Sequence, residues 1–149
     1  MPVALPVPVP PPDPAAAEPY TEVGTIEIPR LGTSRPLLEG ITLKTLNRGP
    51  GHWPGTAMPG DVGNVVVAGH RVSHGRIFRH IDQLEPGDEV FFTTLAGRFR
   101  YVVDGTTIVK PDAMYILDQT EDRTATLFAC HPPGTTRERI VVHLTYADE

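Results

Sequence analysis

The sequence predicts an all-β domain, a closed barrel or a sandwich, on three observations. Short runs of alternating or continuous apolar residues recur along most of the chain. Fourteen glycines and seventeen prolines in 149 residues punctuate those runs with turns. Only one longer stretch has helical spacing, which argues against a doubly wound α/β fold. The length suits one domain with a real core and is too short for two.

Residues 1–19 form a separate unit, a proline-rich stem holding eight of the prolines and almost no charge. Proline removes backbone donors and favours the polyproline II form, so the stem is expected to be extended, to span roughly 60 Å and to add nothing to the core. Residues 20–149 form the folded domain. Thr25–Pro29 alternates as a half-buried strand does. Leu38–Leu46 predicts a short turn. Asn64–His70, with three consecutive valines, reads as a buried strand that stops at His70. Ile77, Phe78, Ile81 and Leu84 have helical spacing, closed by Pro86-Gly87. Asp88–Leu95 and Arg98–Val109 flank Ala96-Gly97 as a hairpin, with Phe99, Tyr101 and Val103 on one face of the second strand. Ala125–Cys130 and Arg139–Tyr146 are two further strands.

Charge excludes one class of partner. A formal net charge of −5 leaves no basic stripe for nucleic acid phosphates. No run approaches the roughly 18 apolar residues of a membrane helix, and no signal peptide is visible. If the protein is exported, its signal or anchor is expected to lie outside these 149 residues.

The single cysteine, Cys130, forbids an internal disulfide. A lone cysteine is more often an inert buried thiol than a nucleophile. Here, however, an apolar strand stops at Cys130 against His131-Pro132-Pro133-Gly134, and the next strand starts at Arg139 after eight loop residues. If the two strands pair antiparallel, Cys130 and Arg139 share one end of the sheet. His70 closes its own strand as well, so the three residues can share a rim. Together they make chemical sense. A cationic neighbour favours the reactive thiolate, histidine can protonate a departing amine, and a guanidinium can bind the oxyanion of a tetrahedral intermediate. Arg137, two residues earlier, competes with Arg139, but Arg139 abuts the apolar run. No GxSxG accompanies any serine. His70 and His74 have an H-x₃-H spacing, but glycines and a strand surround them and no cysteine pair or HExxH joins them, so no metal or cofactor is expected.

In chain order, Gly49–Gly55 (GPGHWPG), Pro59-Gly60, Gly63–Arg71 (GNVVVAGHR), Gly75–Phe78 with Gly87-Asp88, and Thr126–Pro132 (TLFACHP) followed by Arg139 resemble the sortases. The likeness runs from about Thr25 to Tyr146. It implies an eight-stranded β-barrel with Cys130, His70 and Arg139 as catalytic residues, and Thr126, Ala129 and His131 toward the substrate. It further implies cleavage of a sorting signal of the LPxTG or LAxTG kind between Thr and Gly, through a thioacyl enzyme resolved by an amine, usually on a peptidoglycan precursor. The CHP after the strand looks most like class E of high-GC Gram-positive bacteria, with class D next. A membrane-anchored enzyme on the extracellular face, at the cell wall, is the implied setting. The family usually has Thr immediately before the nucleophile; this chain has Ala129, so a hydroxyl is missing there. Two other readings stay open. Ser73-His74-Gly75 faintly resembles an L,D-transpeptidase signature, though no Cys follows it. A non-catalytic barrel module with an inert Cys130 is the other.

Overall fold

Eight strands close on themselves in the computed structural model, which describes residues 5–10, 12–13, 15–70, 78–131 and 138–147, with 130 and 131 described by backbone alone. They are β1 (Glu22–Ile28), β2 (Thr33–Glu39), β3 (Gly51–His52), β4 (Gly63–Ala68), β5 (Glu89–Thr94), β6 (Gly97–Val109), β7 (Arg123–His131) and β8 (Glu138–Tyr146). Their order around the barrel is β1-β2-β3-β4-β7-β8-β6-β5, with β5 pairing back to β1. The all-β barrel expected from the sequence is therefore the observed fold, at the strand number the resemblance implied.

Alternation decides what fills it. Ile26 and Ile28 of β1, Val65 and Val67 of β4, Leu127 and Ala129 of β7, and Ile140, Val142 and Leu144 of β8 point into one interior cluster. Tyr101 of β6 lies wholly inside, stacked edge-on against Phe92 and Tyr146. Its hydroxyl accepts the Gly60 N–H at 2.9 Å, so the phenol's polar end is satisfied. Burial raises the Tyr101 pKa above its ordinary value, against a smaller lowering from that bond.

Two strands escaped the sequence reading. β2 (TSRPLLE) lacks a clean alternation and contains Pro36. It tolerates the proline because its second partner, β3, pairs only at Leu38 and Glu39. β3 has two residues and sits inside the glycine- and proline-rich loop. The turn expected at Leu38–Leu46 contains a single helical turn, α1 (Leu43–Leu46). The helix expected over 77–84 is shorter than its pattern suggested. Residues 78–80 form a turn and Ile81–Gln83 one 3₁₀ turn, while Ile77 lies outside the described residues. The buried residues are Phe78, Ile81 and Leu84, a spacing of three that fits the tighter 3₁₀ winding. A further 3₁₀ turn, Met114–Leu117, follows β6. Among the described residues no helix is long and apolar enough to cross a membrane.

The described part of the stem is hydrogen-bonded to the domain at two places. The Val9 N–H donates to Pro54 O and the Trp53 indole N–H donates to Val9 O, at 2.9 and 2.8 Å. Farther on, Glu18 reaches α1: one carboxylate oxygen accepts from the Thr42 N–H, the Thr42 hydroxyl and the Thr45 hydroxyl at 2.8, 2.5 and 2.8 Å. No described stem residue belongs to the buried core.

Candidate active site

Strand register brings the three rim positions into line. β7 and β8 are antiparallel, with Cys130 paired to Arg139 and His131 to Glu138. β4 and β7 are parallel, and their last pair is Ala68 with Phe128. The Gly69 N–H continues that ladder to Phe128 O at 3.2 Å. His70 thus stands two residues beyond Ala68 on β4's path, as Cys130 stands two beyond Phe128. The backbones of His70, Cys130 and Arg139 lie side by side at one end of three adjacent strands. The reason is local. β4 is apolar on both faces, because Val65 and Val67 face the interior while Val66 is covered by Trp53 and Leu117. It therefore runs buried until Gly69, where Phe78 packs so closely that any Cβ would lie 2.6 Å from its ring. Phe78 also donates its N–H to His70 O at 2.9 Å, fixing the backbone of the histidine as the strand ends.

The His70 ring is half-buried, and its Nε2 lies 2.9 Å from Asn47 Oδ1, just past α1. Arg139 is also half-buried and donates from Nη1 to Glu138 O at 3.3 Å. The side chains of Cys130 and His131, and the competing Arg137, lie outside the described residues, as do Ser73 and His74.

The expected substrate-facing residues separate. Thr126 is buried on the outward face of β7, where its hydroxyl donates to Asn64 Oδ1 at 2.8 Å. It helps wall a cavity of about 250 Å³ shared with Asn64, Thr124, Tyr115, Ile116 and His143. Burial holds the His143 imidazole below its ordinary value, with Asp104 pulling the other way. Ala129, by contrast, has its methyl in the barrel interior, so it presents only backbone to the outward face. The hydroxyl of a threonine at this position would enter an apolar cluster.

Two asparagines organise this face, and the sequence did not single out either. Asn64 donates from Nδ2 to Ile116 O and Asp118 O at 3.0 and 3.3 Å, tying the segment after β6 down onto β4. Gln119 repeats the clasp through the Asn64 N–H and Asn64 O at 2.8 and 2.9 Å. Asn64 opens a valine run and Asn47 precedes Arg48-Gly49-Pro50, so each reads locally as a cap or turn residue. The GPGHWPG loop is anchored too. His52 is buried with Nδ1 2.6 Å from Glu39 Oε1 and Nε2 2.9 Å from Ala57 O. That holds Trp53 against Phe128, ring centroids 6.2 Å apart, two residues from Cys130.

Comparison with known proteins agrees with the barrel fold. The family model for the sortase domain matches residues 26–147. The chain is 32% identical over 124 residues to sortase D of Bacillus subtilis, covering 80% of this chain and 61% of that protein. It is 34% identical over 145 residues to sortase SrtE1 of Streptomyces coelicolor, covering 87% of this chain and 41% of that one. Against both curated relatives the chain thus spans less than two thirds of their length. Among solved structures, the Clostridium perfringens sortase D5 transpeptidase superposes with a TM-score of 0.79 at 33% identity, covering 85% of this chain and 79% of that one. Sortase E1 from Streptomyces coelicolor, solved with a tripeptide in its active site, gives 0.80 at 30%, covering 86% and 89%. With a matching domain over nearly the whole barrel, the same strand architecture and relatives above 30% identity, this chain belongs to the sortase family of cysteine transpeptidases.

Proposed function

We propose that the protein is a sortase that cleaves an LAxTG or LPxTG sorting signal between Thr and Gly and joins the new carboxyl end to an amine, with Cys130, His70 and Arg139 as its catalytic residues. The observation that carries this reading is the strand register that sets 70, 130 and 139 side by side at one barrel end. In the proposed reaction the Cys130 thiolate attacks the threonine carbonyl carbon. The guanidinium of Arg139 donates to the oxyanion that forms. The imidazolium of His70 gives its proton to the glycine nitrogen as the C–N bond breaks, leaving a thioester and neutral imidazole. An incoming amine then attacks the thioester and loses a proton to His70, and the thiolate departs. Proton and sulfur both return to their starting states.

The acceptor is read as a cell-wall amine, such as that of a peptidoglycan precursor, and the setting as the outer face of a membrane-anchored cell envelope. Class E is the proposed class. The CHP run after β7 and the likeness to SrtE1 support it, while the likeness to sortase D keeps class D as the nearest alternative.

A fluorogenic peptide panel with position two varied between Pro and Ala, plus an amine acceptor, tests the reading. The expected result is cleavage after Thr, a thioacyl adduct on Cys130 by intact mass, and no turnover by Cys130→Ala. A folded wild-type protein that gives neither cleavage nor adduct would overturn it, and slow alkylation of Cys130 at neutral pH would then mark an inert thiol.

A further inference from the structure

We infer that Asn47 is a positioning residue that fixes the tautomer of His70. The inference rests on the sortase reading of that histidine. The Asn47 side-chain carbonyl lies 2.9 Å from His70 Nε2, and a carbonyl oxygen only accepts. Nε2 therefore carries a hydrogen in both the neutral ring and the cation, and Nδ1 is the atom that gains and loses the working proton.

The carboxamide is held as a preorganised group. Asn47 closes α1, its own N–H bonded to Leu43 O and Thr45 O. The front of α1 is pinned by Glu18 through Thr42 and Thr45, both buried. Glu18 in turn packs on Gly40, where a Cβ would come 2.5 Å from its carboxylate oxygens. Stem, helix and amide thus form one chain of contacts ending on the imidazole. An amide suits the task because it orients the ring without adding charge. A carboxylate at the same place would favour the cation and move the ring's titration upward.

The test compares wild type, Asn47→Ala and Asn47→Asp by ¹⁵N NMR of the histidine rings across pH, with His70→Gln used for assignment, and by steady-state kinetics. Wild type is expected to hold the Nε2–H tautomer. Asn47→Ala should mix the tautomers and lower kcat about 2- to 13-fold with KM unchanged, the equivalent of one hydrogen bond. Asn47→Asp should keep the tautomer and shift the His70 titration to higher pH. If Asn47→Ala keeps the wild-type tautomer and titration, the inference is wrong, even where its melting temperature falls. The NMR needs no substrate, so a protein that cleaves no sorting peptide would defeat the proposed function while leaving the tautomer result to decide this one.

Discussion

Replacing Gly69 by alanine places a methyl group where the barrel has no room. A Cβ there would stand 2.6 Å from Phe78 Cδ2 and 2.9 Å from Cε2 and Cγ, whereas carbon atoms rest about 3.5–4.0 Å apart. The ring cannot swing out, since Phe78 is fully buried and its backbone is bonded to His70 O. Ring or strand must shift by about 1 Å in a close-packed core, an overpacking cost of about 1–3 kcal/mol. At about 2–4 °C per kcal/mol for a chain of this size, Gly69→Ala should melt about 2–12 °C below wild type. A double-mutant cycle isolates the cause. Phe78→Leu removes the clashing atoms, so the double variant should be less destabilised than the sum of the singles by about 0.5–3 kcal/mol. The assay is urea and thermal unfolding of all four proteins. Strict additivity, or a Gly69→Ala protein with the wild-type midpoint, would refute the steric account.

The remaining expectations concern charge and buried polar groups. Burial pushes the Glu18 carboxyl upward, but the bonds from Thr42 and Thr45 outweigh it and hold its pKa below the ordinary 4.5. The unfolded chain then takes up the proton first, so Glu18 stabilises above pH 4.5 and that share is lost as pH falls through the folded value. Glu18→Gln should accordingly lower stability at pH 7 and flatten the acid limb of a stability–pH curve. His143, lowered from 6.5 by burial, has the same sign; His143→Gln should lessen the decline in stability below pH 6.5. His52→Leu leaves Glu39 and the Ala57 carbonyl without their partner and should cost about 1–3 kcal/mol. Fluorescence of Trp53, the sole tryptophan and the next residue, should shift to the red. Tyr101→Phe, which strips the Gly60 N–H of its acceptor, should cost about 1 kcal/mol in urea unfolding with the barrel intact.

The barrel and its rim were legible where the chain repeats a simple period. The valine run of β4, the alternation in β6 and the two apolar strands β7 and β8 each announce a face, and each was placed within a few residues. β2 and β3 were not legible because their membership depends on partners rather than on pattern: one carries a proline, the other has two residues. The same limit applies to the site. His70, Cys130 and Arg139 stand at strand ends, so their common edge could be expected from the sequence, but the parallel pairing of β4 with β7 that aligns them could not. Asn47 and Asn64 act through contacts 23 and 62 residues away in the chain, and neither has a local pattern that marks it. Ala129 shows the converse. Motif comparison set it toward the substrate, while the strand's alternation turns its side chain inward.

The parallel junction between β4 and β7 also has a kinetic meaning. Both β5 and β6 lie between these strands in sequence, so the junction closes a long loop, and such contacts form late because chain entropy opposes them. Residues 70 and 130 stand on stretches of chain far apart in sequence, and the register of this seam is what sets their backbones side by side.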